Sequence, residues 1–444
     1  MKPLLVVSGP VATRSGYGSH TRDLVRSLVD MDKFDIHVNS LPWGNCPMNA
    51  LNEKDENDKL IIDRIMKDGN LSRQPDVHIQ VSVPNEFAPM AKYNIGITAG
   101  IETTSPKPEW IEGLNRMDMN IVPSTFTKKV FQDCVYDRMD ENTKQKVGEL
   151  RLSKPMEVLF EGVDTNIFKK ISQFSEDFVN EMNSIPEKFV FLYTGHWLQG
   201  KLGQDRKDTG MLVKTFLETF KNKKKQPALL MKTSGATFSI IDRNEILKKI
   251  EDIKKTVSGQ LPNIYVLHGD LTDEEMNEMY NHPKVKAHVT FTHGEGFGRP
   301  LLEASLSEKP VVASNWSGHL DFLNNKLAIL LPGALVDVPK SGLSKDYRVD
   351  GAKWFTINYQ YASKIMAEMF KNYRKYILNA KKLAIGNRGK YSLKSMTKKF
   401  DEILTNYLPK FEEAPQQVNL KLPKLKKVGD TAPKTIQLPK LKKV

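Results

Sequence analysis

His293-Gly294-Glu295-Gly296-Phe297-Gly298-Arg299-Pro300-Leu301-Leu302-Glu303-Ala304-Ser305 reads as a strand end, a glycine-rich turn and a helix start. The apolar run 285–291 supplies the strand, the three glycines leave the backbone free to turn, and Pro300 suits a first helical turn, where its missing N–H has no partner to lose. A helix start exposes unpaired N–H groups and the positive end of the helix dipole, so an anion is its natural guest. Glu295 and Glu303 flank this anion site, about two helical turns apart by the ~3.6-residue repeat. Ionised carboxylates accept hydroxyl hydrogens, so an anion beside two of them points to a nucleotide or a sugar phosphate.

Outward from this turn, short apolar strands alternate with amphipathic helices. Strands are predicted at 188–194, 228–232, 264–267, 285–292 and 310–313, with helices at 210–220, 241–255, 273–280 and 300–307. An earlier series has strands at 4–7, 34–38, 77–83, 93–98, 119–122 and 156–160, helices at 108–116 and 125–134, and a polar surface helix at 52–68. Its first strand runs into the loop Gly9 to His20, which carries Gly16-Tyr17-Gly18 and opens a helix. The charged stretch 137–154 is poor in apolar residues, and helices at 361–379 and 393–407 close the folded part. Such alternation implies an α/β fold with mostly parallel sheets covered on both faces. Two halves meet near 165–186, and ligands in such sheets sit outside the carboxyl ends of the strands. The loop at 16–18 and the turn at 294–298 should then face each other across a cleft.

The length of 444 residues suits two proper cores. Lys2 followed by the short apolar run 4–7 is too brief for a signal peptide and reads as the first strand, and no apolar stretch approaches the ~20 residues that span a bilayer. Cys46 and Cys134 are too few and too far apart for a disulfide framework or a zinc set, which points to a reducing, cytoplasmic compartment. Asp30-Met31-Asp32 falls at a helix end rather than after a strand, so no metal site is expected, and the absence of G-x-x-x-x-G-K-[ST] excludes a P-loop ATPase.

The net charge of +13 favours polyanionic partners, and more than half of it is local. From Ala414 onward eight lysines face one acid, Asp430, so that stretch carries 8 − 1 = +7. Beyond Pro409 the chain is low in aromatics and rich in Lys, Pro and Gln, a signature of disorder, and Leu422-Pro423-Lys424-Leu425-Lys426-Lys427-Val428 recurs as Leu438 to Val444. The tail reads either as a docking segment for an acidic partner, nucleic acid or an anionic membrane surface, or as a solvated extension.

Four blocks together resemble a known family. They are Gly16-Tyr17-Gly18-Ser19-His20; Asn120-Ile121-Val122-Pro123-Ser124 with Phe126; Glu161-Gly162-Val163-Asp164-Thr165-Asn166-Ile167-Phe168; and the opening stretch with its E-x7-E pair, extended by Pro310-Val311-Val312-Ala313, Gly318 and Asp321. In this order the chain resembles the retaining, nucleotide-sugar-dependent glycosyltransferases of the GT-B fold (glycosyl transferases group 1, family 4-like), which include bacterial and phage glycan-building enzymes. The resemblance covers residues 4–407. It implies two Rossmann-like domains facing across a cleft: 1–168 for the acceptor and 187–385 for the donor, with a closing helix at 386–409 and a disordered basic tail at 410–444. It also implies a cytoplasmic enzyme, in the host cytoplasm for a phage-encoded member, with peripheral membrane attachment left open.

On this resemblance Glu303 holds the donor ribose, Glu295 lies near the transferred sugar and its phosphate, and the backbone around Gly296, Phe297 and Gly298 receives the diphosphate. Lys207 and Arg206 match the basic pair that neutralises the leaving group. The family's arginine after the strand glycine is missing, because His196 follows Gly195, so His196 and Lys201 stand as further phosphate candidates. Gly16 and Gly18 let their loop approach the donor phosphate, while Lys232 and Leu271 lie at strand ends facing the nucleotide. His20 and Glu102 are the acceptor-side candidates. The resemblance implies a nucleotide-diphosphate sugar as donor, no cofactor and no required metal. For the acceptor a glycan or lipid-linked saccharide leads, with hydroxymethylated pyrimidines of phage DNA as the alternative; a non-catalytic docking protein on the same fold is the third reading.

Overall fold

The computed structural model describes residues 2–411, apart from 68, 70, 72, 141, 236, 324–325 and 344–347. The duplicated Lys-rich motif therefore lies outside the described residues. The N-terminal half runs β1 (Leu4–Gly9), α1 (Gly16–Met31), β2 (Asp35–Ser40), α2 (Glu56–Ile62), β3 (Val77–Val81), β4 (Tyr93–Ile97), α3 (Pro108–Arg116), β5 (Met119–Val122), α4 (Thr125–Asp133), β6 (Val135–Met139), β7 (Lys146–Arg151) and β8 (Met156–Val158). The second half follows with α5 (Glu176–Asn183), β9 (Val190–His196), α6 (Thr209–Phe220), β10 (Ala228–Ser234), α7 (Ile240–Lys254), β11 (Ile264–Leu267), α8 (Asp273–Asn281), β12 (Val285–Val289), α9 (Arg299–Ser305), β13 (Val311–Ser314), β14 (Ile329–Leu331), β15 (Gly333–Asp337) and β16 (Lys353–Ile357). Three helices finish the described chain: α10 (Tyr359–Lys371), α11 (Arg374–Lys390) and α12 (Leu393–Tyr407).

Each half is built on a parallel six-stranded sheet, ordered β2-β1-β3-β4-β5-β8 in the first and β11-β10-β9-β12-β13-β14 in the second. The strand order reverses between β1 and β3 and between β9 and β12, the crevices where open α/β sheets take ligands. Burial on both faces explains the apolar runs: β1, Leu-Leu-Val-Val-Ser-Gly, is buried throughout. In β9 and β10 alternate residues serve opposite faces. Val190, Leu192 and Leu230 join one core layer, while Phe191, Tyr193, Leu229 and Met231 join the other. Helix starts follow local chemistry. Ser15 Oγ caps α1 by accepting from Gly18 N at 3.0 Å, and Thr272 and Glu275 form a reciprocal capping box on α8.

The structure corrects several predicted elements. The surface helix expected over 52–68 shrinks to α2, because the chain turns extended again to place Ile65 in a bridge with Val38. The helix expected over 361–379 is two, since Asn372 leaves helical geometry and Tyr373 packs edge-on against Phe189, ring centroids 5.6 Å apart. The boundary set at residue 386 falls inside α11. Two antiparallel hairpins, β6–β7 and β15–β16, had no predicted counterpart.

α12 returns to the first half and packs on α1, where Ser27 and Thr397 hydroxyls share a hydrogen bond of 2.8 Å. The described chain thus passes between the halves twice. The two passages are bonded side by side, Val163 N to Tyr391 O at 3.0 Å and Leu393 N to Val163 O at 2.8 Å.

Candidate functional site

The carboxyl ends of both sheets converge on the glycine turn. Gly298, at φ 90° the left-handed N-cap of α9, is the one glycine of the turn whose conformation demands glycine. Gly294 and Gly296 answer a different need. A Cβ on Gly294 would lie 2.3 Å from Glu102 O, and one on Gly296 2.0 Å from Ala99 O, so both let the turn lie directly against the loop after β4 of the other half. Gly296 O accepts from Ser124 Oγ at 2.6 Å, and the Asp321 carboxylate caps α4 by accepting from Thr125 N at 2.8 Å. β16 braces the turn from behind: Phe355 N donates to His293 O at 3.0 Å, and the His293 ring stacks on Trp354 with centroids 4.1 Å apart. Phe297 contributes backbone only, its side chain being buried against Phe322 and Tyr391.

Four charged side chains named from the sequence gather at one spot. Lys207 forms an ion pair with Glu295, and Arg206 forms one with Glu102 across the cleft. Burial by itself would raise the Glu295 pKa, but Lys207 and then Arg206 more than offset it and hold the carboxyl below its ordinary value. Glu102, with burial the larger influence, is raised. Asp208, the next residue after Lys207, fixes that loop by accepting from Tyr359 Oη at 2.6 Å.

Glu303 lies in a second cluster. Arg299 Nε donates to it at 2.9 Å, and Tyr280 Oη reaches its other oxygen at 3.3 Å. The same guanidinium pairs with Asp23 on α1 of the opposite half. Burial pushes Glu303 up to about 7 despite Arg299. His20, one turn before Asp23, is buried with Nδ1 unpartnered, and burial brings its pKa down to about 4. Glu161 is also buried and is raised to about 7, first by burial, with Arg299 opposing and Asp23, Glu303 and Glu295 reinforcing.

The remaining candidates lie around these clusters. His196 Nδ1 sits 3.1 Å from both Ser234 Oγ and Gly235 O. Lys232 donates to Gly269 O at 2.6 Å, and Leu271 packs partly into the core of the second half. Gly18 is needed, since a Cβ there would lie 2.3 Å from Thr13 O, whereas a Cβ on Gly16 meets nothing within 4 Å. Arg299 and Glu161 stood in quoted stretches but, like Asp23, were given no role from the sequence. Arg299 alone had a local signal, its i,i+4 spacing to Glu303.

Two Rossmann-like domains, each with its ligand crevice turned toward the other, define the GT-B fold of glycosyltransferases. Solved structures with this architecture include a glycosyltransferase from Rickettsia africae (TM-score 0.60, 16% identity, 92% of this chain and 100% of that one). Sucrose-phosphate synthase from Thermosynechococcus elongatus also matches (TM-score 0.60, 12% identity, 91% and 99%), as does Anabaena HepE in complex with UDP and glucose (TM-score 0.56, 10% identity, 91% and 100%). No family model matches the sequence. Over 200 residues it is 26% identical to the capsular polysaccharide biosynthesis glycosyltransferase CapM of Staphylococcus aureus, a match spanning 45% of this chain and 48%, about half, of that relative.

Proposed function

We propose that the protein is a retaining glycosyltransferase that moves a sugar from a nucleoside diphosphate sugar to a hydroxyl of a glycan or lipid-linked saccharide. The observation that carries this reading is the buried Lys207–Glu295 pair beside Arg206 at the turn that opens α9. The two cations pair with Glu295 and Glu102. With a donor bound, the diphosphate draws on both cations at the point where negative charge develops as the sugar departs. These side chains serve the leaving group without a metal. Glu303 accepts from the ribose hydroxyls. The acceptor oxygen bonds to the anomeric carbon on the face the phosphate leaves, and the acceptor proton passes to the departing phosphate oxygen.

The two free cysteines support a cytoplasmic placement, and no helix among the described residues is long and apolar enough to cross a membrane. The test is incubation with UDP-, GDP- and CMP-sugars, alone and with glycan or hydroxymethylated DNA acceptors, followed by mass spectrometry. Donor hydrolysis or transfer that Glu303→Ala suppresses is the expected result. If no donor is bound or consumed, the reading fails; product on DNA but on no glycan would move the acceptor to nucleic acid.

A further inference from the structure

We propose that the outer face of α11 is a docking surface for an anionic lipid bilayer. This helix exposes two large apolar side chains, Leu378 at 61% and Ile385 at 66%. Seven residues apart at ~100° per residue, they point within about 20° of each other and form one ridge. Arg374 and Lys381 flank the ridge on one side, Lys375 and Lys382 on the other, and the helix contains no Asp or Glu. Its opposite face is already used: Ala380, Leu383, Ala384 and Asn387 are buried, with Asn387 Nδ2 donating to Ser305 Oγ on α9 at 2.9 Å. The ridge is therefore not a core face awaiting another part of this fold.

Positive charge extends beyond the helix. Lys381 and Lys286 both act electrostatically on Lys170 or are acted on by it, and Lys286 lies over the Tyr373 ring, 5.7 Å from its centroid, just before α11 begins. The acids nearby are Glu368, paired with Lys375 at 2.6 Å, and Glu308, which faces Lys170. Among the described residues, Arg374, Lys381 and Lys382 form no ion pair. An apolar ridge between two rows of cations suits the boundary between headgroups and acyl chains, where apolar side chains enter and lysines stay at the level of the phosphates. The same face fits other occupants poorly. A polynucleotide would press phosphates against Leu378 and Ile385, and a second copy packed symmetrically would set the cationic rows against each other.

The test is flotation of the full-length protein with phosphatidylcholine vesicles and with vesicles of phosphatidylcholine and phosphatidylglycerol. The parent protein should float only with the anionic vesicles, less so as salt rises. Leu378→Ser/Ile385→Ser should lower partitioning about tenfold or more, and Lys381→Gln/Lys382→Gln about fivefold per lysine. Both variants change exposed side chains, so donor turnover and melting temperature should match the parent. Equal binding to neutral and anionic vesicles would overturn the proposal. So would flotation that neither variant reduces, or binding to duplex DNA, without flotation, that the lysine variant loses and the Leu/Ile variant keeps.

Discussion

Replacing Lys207 by methionine keeps most of the side-chain volume and removes the charge that faces Glu295. Taking one partner from a buried ion pair costs about 3–5 kcal/mol. Here the two side chains keep 14% and 10% of their surface, and Arg206 still acts on the carboxylate, so we expect about 2 kcal/mol at neutral pH. For a donor half of roughly 200 residues melting as its own unit, that is about 4–8 °C. The pH dependence separates this cause from simple misfolding. Glu295 is held below its ordinary pKa, so its contribution is present above the unfolded-state value of about 4.3 and disappears as pH falls through the lower folded value. In Lys207→Met burial dominates, Glu295 rises above its ordinary value, and acidification relieves the variant. The gap in melting temperature between parent and variant should therefore narrow from pH 7 to pH 4, as scanning calorimetry can show. Turnover should fall by about 10²–10³, with donor affinity changing much less. A gap that stays constant with pH, or turnover within a few-fold of the parent, would refute the reasoning.

Glu303, raised to about 7, should make donor affinity increase as pH rises through neutrality, because only the ionised carboxyl accepts two hydroxyl hydrogens; isothermal titration should find this slope flattened in Glu303→Gln. Its raised pKa also means that Glu303 lowers fold stability progressively between about pH 4.3 and 7, a slope the same variant should remove. Gly296→Ala puts a Cβ 2.0 Å from Ala99 O and should cost about 3 kcal/mol in thermal or denaturant melts, while Gly16→Ala, with nothing within 4 Å, should stay within about 1 kcal/mol of the parent.

The strands of both sheets, except the short edge strand β14, were legible because parallel strands covered on two faces appear as apolar runs bounded by turns. Hairpins were not. Along β6 and β7 only Tyr136 and Leu150 turn toward the core of the first half, while the exposed positions mix Val135, Met139 and Val147 with charges paired within the ribbon, such as Lys146 with Asp137 at 2.6 Å. β15 is exposed at every residue and gave no periodic signal. In the site, Glu295, Glu303 and Lys207 could be named from local context, since each sits in a short motif. Their pairings could not. Glu102 was named only as an acceptor-side candidate and not as the partner of Arg206, Glu161 lay in a quoted block without a role of its own, and Asp23 looks locally like an ordinary polar residue on a helix. The glycine turn was found for a partly mistaken reason: bending requires glycine at Gly298, while Gly294 and Gly296 keep the wall between the domains thin.

The two passages at Val163 and Tyr391 to Leu393 form one seam between the halves. Because their backbones are bonded to each other, neither crossing can shift alone without breaking a hydrogen bond to the other. The halves also meet where Thr104 N donates to Lys353 O at 2.8 Å and where Arg299 pairs with Asp23. α12, the last described helix, follows the second half in sequence and packs on the first, so separating the halves would strain both crossings at once.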